Sequence, residues 1–390
     1  MKKTCVIVAP CYCASGYSVH SRQIAKILNS YENLEVILRA TIWGNTPFIL
    51  RDMPEKIFLD EMNARCVKYS EDFVFDYSVQ VILPDEFKPN IAHYNIGITA
   101  GVETTVCNPA WVEACNKMNL IIVPSEHVKK TLQASGKLTV PTYVVPETFP
   151  SYLEDENLKC DLDIDFDTSF NFLHVGQLGA MSEDCDRKGI LTLVRIFCQA
   201  FEGNKDVGLV IKTNMGRNTT IDRSILMPAM HDFVKRYRKS EFPRIYIVHG
   251  PMDDIDICKL YKHNKIKAFV SLTKGEGFGL PLLEAAAAGL PILTTNWSGH
   301  LDFLNIIDRS FIKLNYELVT VPESKIDNRI FVKDAHWAKV LEQDAIRKMN
   351  KIYESYNLPK QWAQNLQKAI IPEFKFEMMQ KKFKEVINIK

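Results

Sequence analysis

Short apolar runs alternate along the chain with stretches in which apolar residues recur every three or four positions. This is the pattern of parallel strands buried on both faces, with helices laid against them. Strands are expected at residues 4–9, 34–37, 79–83, 91–98 and 120–123. A second series is expected at 171–176, 207–212, 245–249, 268–270 and 290–293. Between them a helix should run from Ser18, with Ile24, Ile27 and Leu28 on one face. Another should start at Ser125, a suitable N-cap, and close at Gly136. Ile190, Leu193, Val194, Phe197 and Phe201 share one face of a helix that follows Asp186-Arg187-Lys188-Gly189. Two helices should end the chain. One covers roughly 335–356; the last carries Phe376, Met379, Phe383 and Ile387 one or two turns apart and could pack back across the first domain.

The two series are separated by an acidic segment, 154–167, with seven carboxylates against one lysine, read as an exposed linker. The expected fold class is therefore α/β with two Rossmann-like domains: 1–165, 166–365, and a C-terminal helix, 366–390, crossing back to the first. Two domains suit 390 residues, and 46% apolar residues suffice for a sizeable core. A cleft between the domains would be the usual place for a ligand.

A formal net charge of +1 gives no overall pull toward nucleic acid or anionic membrane. The basic run Lys235, Arg236, Arg238, Lys239 and the lysines of 259–267 read as solvated helix faces. The ten cysteines form no C-x-x-C pair, and several sit in apolar context, which favours a reducing compartment and a cytoplasmic location. The opening apolar run is too short for a signal peptide and stops at Pro10, and nothing approaches a membrane span.

The richest stretch is Lys274-Gly275-Glu276-Gly277-Phe278-Gly279-Leu280-Pro281, running through Glu284 to Gly289. It should be a glycine-rich loop opening a helix, with Pro281 in the first turn and Gly289 as the stop. The amides of Phe278, Gly279 and Leu280 would then point out of the helix N-terminus, where an anion is favoured. Glycines could serve backbone geometry alone; a glutamate at each end argues for a ligand site. The loop 10–17 has a single glycine, Gly16, short of a dinucleotide fingerprint, though it could still face a cleft at the strand ends. Asp253-Asp254-Ile255-Asp256 reads as a helix start, so no metal is implied. Lys212, at a strand end, is read as functional, because lysine is seldom placed there without a partner. Glu103 and Thr104 could contact a ligand in the cleft, or cap the next helix. His93 and His300 read as structural, with His93 kept as a possible ligand contact; Arg223, Arg236 and Arg244 read as surface charges.

Residues 273–304 resemble the signature region of retaining nucleotide-sugar glycosyltransferases with two facing Rossmann-like domains, the GT-B fold. Residues 101–136 are similar to a first-domain segment of a bacterial and viral branch, and 174–189 resemble the phosphate-contacting loop and helix start. The resemblance implies that Glu284 accepts hydrogen bonds from ribose hydroxyls and that Glu276 holds hydroxyls of the donor sugar. Gly277, Phe278, Gly279 and Leu280 would receive sugar and phosphate oxygens, with Gly16 also on the donor. Arg187 and Lys188 would clamp the diphosphate, and the base would rest at His249-Gly250. Two departures stand out. Gly176-Gln177 replaces the usual Gly-Arg, leaving Arg187 or Lys212 to supply the cation, and Asp302 stands where many members have glutamate. The resemblance further implies a nucleoside-diphosphate sugar as donor and no cofactor or metal. The acceptor would be a glycan or lipid-linked sugar, with a modified nucleic-acid base as another option and peripheral membrane contact as a possibility. An epimerase, a phosphorylase or a silent nucleotide-sugar binding protein of the same architecture are the competing readings. The stretches 11–17 and 42–66 should choose the acceptor.

Overall fold

The computed structural model describes residues 2–48, 55–387 and 389. The chain divides into two units. Unit 1 comprises Met1–Thr148, Asp327–Val332 and Phe376–Lys390; unit 2 comprises Phe149–Ile326 and Lys333–Lys375.

Unit 1 is built on β1 (Lys3–Ala9), β2 (Leu34–Ala40), β3 (Phe75–Val81), β4 (Ala92–Ile98), β5 (Leu120–Val123) and β6 (Thr142–Val144), with α1 (Gly16–Asn29), α2 (Lys56–Ala64), α3 (Pro109–Cys115) and α4 (Glu126–Ser135) in the crossovers. The strands form one parallel sheet in the order β2-β1-β3-β4-β5-β6. Cys5 to Ala9 are all buried, as a strand covered on both faces requires. Helix α1 starts two residues before Ser18, because the Ser15 hydroxyl caps the Ser18 amide. Ser125 caps α4 in the same way through Val128, as expected.

Unit 2 contains β7 (Phe170–Val175), α5 (Ile190–Ala200), β8 (Val207–Thr213), α6 (Thr220–Tyr237), β9 (Arg244–His249), α7 (Asp254–Tyr261), β10 (Ile266–Ser271), α8 (Leu280–Ala287), β11 (Ile292–Thr295), α9 (Leu301–Leu304), β12 (Ile312–Leu314), β13 (Tyr316–Thr320), β14 (His336–Val340), α10 (Glu342–Glu354) and α11 (Asn357–Phe374). Its main sheet is parallel, in the order β12-β11-β10-β7-β8-β9. The apolar face of α5 expected from the sequence is buried in full, from Ile190 to Phe197, with Phe201 beside it. The last helix, α12 (Phe376–Ile387), belongs to unit 1, where Phe383 and Ile387 join the cluster that holds Ile24 and Leu28.

Four features differ from the sequence reading. Three helices rather than two end the chain, because Asn357–Phe374 is a separate helix of unit 2 and the returning helix starts at Phe376, not at 366. The helix expected over 335–356 begins only at Glu342; His336–Val340 is a strand paired antiparallel with Tyr316–Thr320. The acidic segment is part of unit 2, since the division falls after Thr148 and Leu153 and Phe166 are buried. Its carboxylates are exposed, but they meet the lysines of 259–267: Lys259 lies 2.6 Å from Asp161 and Lys265 lies 2.7 Å from Asp165, while Lys262 donates to the Asp155 carbonyl. Finally, residues 327–332 return to unit 1 for six positions. Arg329 pairs with Asp85 and Glu86 at 2.6 Å each, and Ile330 and Phe331 pack against the cluster around Trp111.

Candidate donor-binding site in unit 2

The loop from Leu272 to Gly279 is buried along its whole length, so its polar groups must find partners inside the protein. Glu276 finds several. Lys188 Nζ donates to both carboxylate oxygens at 2.7 Å, and the Thr273 hydroxyl donates to Oε1 at 2.8 Å. Arg187 approaches Oε2 to 3.7 Å and donates to the Gly275 carbonyl at 2.5 Å. The Glu276 amide donates to the Ser298 hydroxyl at 2.9 Å, and its carbonyl accepts from Gly299 at 3.0 Å. Burial alone would raise this carboxyl. The charges of Lys188 and Arg187, with the bonds from Lys188 and Thr273, overcome that and hold it at about 2. Glu276 is an anion at any working pH.

Lys188 is placed by its neighbour. Gly189 opens α5 at φ 70°, and a Cβ there would stand 2.2 Å from the Leu272 carbonyl oxygen. Only glycine lets the β7–α5 loop lie this close to the β10–α8 loop. The Arg187 carbonyl then accepts from the Lys274 amide at 2.8 Å, which ties the two loops together.

Helix α8 follows as expected, with Pro281 in its first turn. Gly279 precedes it at φ 102°, and its carbonyl receives the first helical bonds, from Leu282 and Leu283. The amides of Phe278, Gly279 and Leu280 lie ahead of those bonds. Glu284, one turn into the helix, is half-buried, and no cation is among the groups that shift it. Burial raises its carboxyl to about 8, with Asp254 adding to the rise and the Tyr261 hydroxyl opposing it.

Lys212, His249 and Gly250 are also brought together. Lys212 Nζ donates to the Gly250 carbonyl at 2.7 Å and to Asn214 Oδ1 at 3.1 Å, and burial lowers its ammonium to about 8. His249, at the end of β9, is lowered by burial and by the charges of Arg223 and Lys212.

The remaining candidates lie in unit 1. Gly16 opens α1 with open space beyond its Cα. Glu103 is half-buried near the end of β4; Thr104 is buried, its hydroxyl donating to the Val106 carbonyl. Neither caps α3, whose N-cap is Asn108. His93 is exposed at the amino end of β4, the end opposite Thr99, and is not gathered with them. The expected acceptor stretches do meet: Tyr17 stacks on Trp43 at 3.9 Å, and its hydroxyl receives the Ala100 amide and bonds Thr99. Residues 49–54 of the second stretch lie outside the described residues.

Sequence reasoning missed His174, Thr273 and Ser298. Thr273 sits three positions before Glu276 and could have been found by its spacing. Ser298 stands at φ 89°, a conformation no sequence pattern announces. His300, expected to be structural, is buried and donates from Nε2 to the Thr295 carbonyl at 2.8 Å. Among the described residues, no three metal-ligating side chains converge, and no helix is long and apolar enough to cross a membrane.

Two parallel αβ units, with a glutamate-flanked loop at the carboxyl ends of the second sheet, define a GT-B fold, and solved structures share it. Anabaena HepE, solved in complex with UDP and glucose, is similar with a TM-score of 0.67 at 13% identity over 99% of both chains. Sucrose-phosphate synthase from Thermosynechococcus elongatus gives 0.63 at 14% identity, over 99% of this chain and 98% of that one. In sequence, residues 234–306 match the model of the family described as Glycosyl transferases group 1. Over 168 residues the chain is 26% identical to sucrose-phosphate synthase of Spinacia oleracea and 27% to sucrose-phosphate synthase 1 of Arabidopsis thaliana. That match takes in 41% of this chain and 15% of the length of either plant protein.

Proposed function

We propose that the protein transfers a glycosyl group from a nucleoside-diphosphate sugar to an acceptor hydroxyl, with retention of anomeric configuration. One observation carries the reading: a buried Glu276 held by Lys188 beside the amino end of α8, with Glu284 one turn further on and outside that ion pair. Glu276 would accept sugar hydroxyls and Glu284 ribose hydroxyls. The amides of Phe278, Gly279 and Leu280, with Arg187 and Lys188, would meet the diphosphate. The base would rest at His249-Gly250, with Lys212 nearby.

In this reading the bond between C1 of the sugar and the phosphate oxygen breaks. The acceptor oxygen bonds C1 on the same face, and its proton passes to the departing phosphate oxygen. The nucleoside diphosphate leaves with the negative charge that Lys188 and Arg187 stabilise. UDP-glucose is the working donor, by analogy with HepE, which is also solved in complex with UDP-glucose. The acceptor is read as a glycan or lipid-linked sugar, the reaction as metal-independent and the setting as cytoplasmic.

Incubation with UDP-glucose and no acceptor tests this. Slow release of UDP and free glucose is expected, and EDTA should make little difference. Appearance of an epimer or of glucose 1-phosphate would establish one of the competing activities instead. Binding of UDP-glucose without turnover, alone or with glycan acceptors, would leave a binding protein.

A further inference from the structure

His174, near the end of β7, is 1% exposed, yet it has a partner for only one of its ring nitrogens. Nδ1 lies 2.9 Å from the Val270 carbonyl oxygen. A carbonyl only accepts, so Nδ1 carries the hydrogen and Nε2 presents a bare lone pair. That lone pair is buried and meets no donor. Burial also keeps the ring neutral, its pKa lowered to about 4, so Nε2 can receive an N–H or O–H but has no proton to give a phosphate.

The ring borders Lys188. A Cβ placed on Gly176 would stand 2.9 Å from His174 Nε2 and 3.6 Å from Lys188 Cγ, so the imidazole and the lysine stem flank the same glycine. The Phe269 ring lies nearly parallel to it, at 18° with 6.4 Å between ring centroids. Two of the three N–H groups of the Lys188 ammonium are accounted for by Glu276. In the reading proposed above, on which this inference rests, donor-sugar hydroxyls compete for those same carboxylate oxygens. An ammonium that gives up one of them needs another acceptor within reach.

We propose that His174 Nε2 is that acceptor: a positioning residue that takes one N–H of Lys188 when a donor sugar occupies Glu276. The exchange moves no charge and breaks no covalent bond. It keeps the ammonium between the two loops and aimed at the diphosphate, where the leaving group gains charge.

Nitrogen-15 NMR of the imidazoles tests this directly in the full protein, which has nine histidines. The His174 signals are identified by their loss in His174→Gln. UDP-glucose should move the Nε2 resonance from its free-acceptor position to a hydrogen-bonded one, and Lys188→Ala should abolish that move while His249 still responds. A response at His249 with none at His174 would overturn the inference and leave the donor site standing. A His174 response that persists in Lys188→Ala would also overturn it, assigning Nε2 to a ligand hydroxyl. Silence at both histidines would contradict the donor-site reading itself, and the inference with it. Kinetics give a second readout. His174→Phe should lower donor turnover about tenfold with little change in KM, and should have no further effect in the Lys188→Ala background. Equal losses in the two backgrounds would mark a merely structural histidine.

Discussion

Glu276 and Glu284 share a side chain and stand eight positions apart, yet the protein drives their protonation in opposite directions. Glu276 sits among cations; Glu284 has a tyrosine hydroxyl and an aspartate. Such divergence is typical of groups with separate tasks. Two consequences follow for Glu284. In the role proposed for it, its carboxylate accepts two ribose hydroxyls more strongly once the proton has left, so UDP affinity should rise with pH up to about 8 and then level. Calorimetry in buffers of different ionisation heat should show proton release. The raised value also sets the stability linkage. The folded state holds the extra proton between 4.5 and about 8, so the stabilisation is full below 4.5 and lost as pH rises through about 8. Glu284→Gln should therefore bind UDP at least about tenfold more weakly while melting higher than wild type above pH 8. Unchanged affinity would remove Glu284 from the ribose site. Glu276 is the reverse case: its stabilisation is present above 4.5 and lost as pH falls toward about 2. Glu276→Gln leaves two cations without their shared counter-charge and should cost about 3 kcal/mol at neutral pH in urea unfolding. A cost below about 1 kcal/mol would contradict the ion-pair account. The glutamates were legible in the sequence. The partnership of Glu276 with Lys188, 88 positions away, had no local sign; the family resemblance assigned the one to the sugar and the other to the diphosphate without pairing them.

At the scale of elements, the site is two loops pressed together at the carboxyl ends of β7 and β10. Gly189 is the point of contact. Gly189→Ala combines a left-handed backbone with a 2.2 Å clash against a carbonyl. It should cost more than about 1 kcal/mol and lower donor turnover by displacing Lys188. Normal unfolding and normal turnover together would contradict that placement. Most elements could be read in advance, because parallel strands covered on both faces leave continuous apolar runs and crossover helices leave a 3.6-residue period. The strand at His336–Val340 could not. Its Trp337, Ala338 and Val340 continue into Ala345 and Met349 at spacings that also suit a helix. What makes it a strand is its pairing with Tyr316–Thr320, a run whose half-exposed pattern gave no strand signal of its own.

Across the whole molecule, the sequence marked two αβ series and a returning last helix. It misplaced the boundary, because charge density alone suggested a free linker over 154–167. The buried Leu153 and Phe166, and the lysines of α7 and its following loop, hold that segment in unit 2. Nor did it show the return of 327–332 to unit 1, which depends on the fit of Arg329 to Asp85 and Glu86, more than 240 positions away. The central claim is chemical: a GT-B protein whose donor is organised by Glu276, Glu284 and Lys188, leaving the donor's own phosphate to take the acceptor proton. Two of the three histidines of unit 1 agree with this, since His20 is buried, lowered to about 4 and set against Phe383, and His93 stands at the amino end of its strand; His127 lies in the first turn of α4, beyond the carboxyl end of β5. The most direct measurement uses water as the acceptor and so needs no knowledge of the natural one. Proton NMR recorded during hydrolysis of UDP-glucose, before mutarotation, identifies the anomer of the glucose first released. The account predicts the α anomer; first release of the β anomer would contradict it.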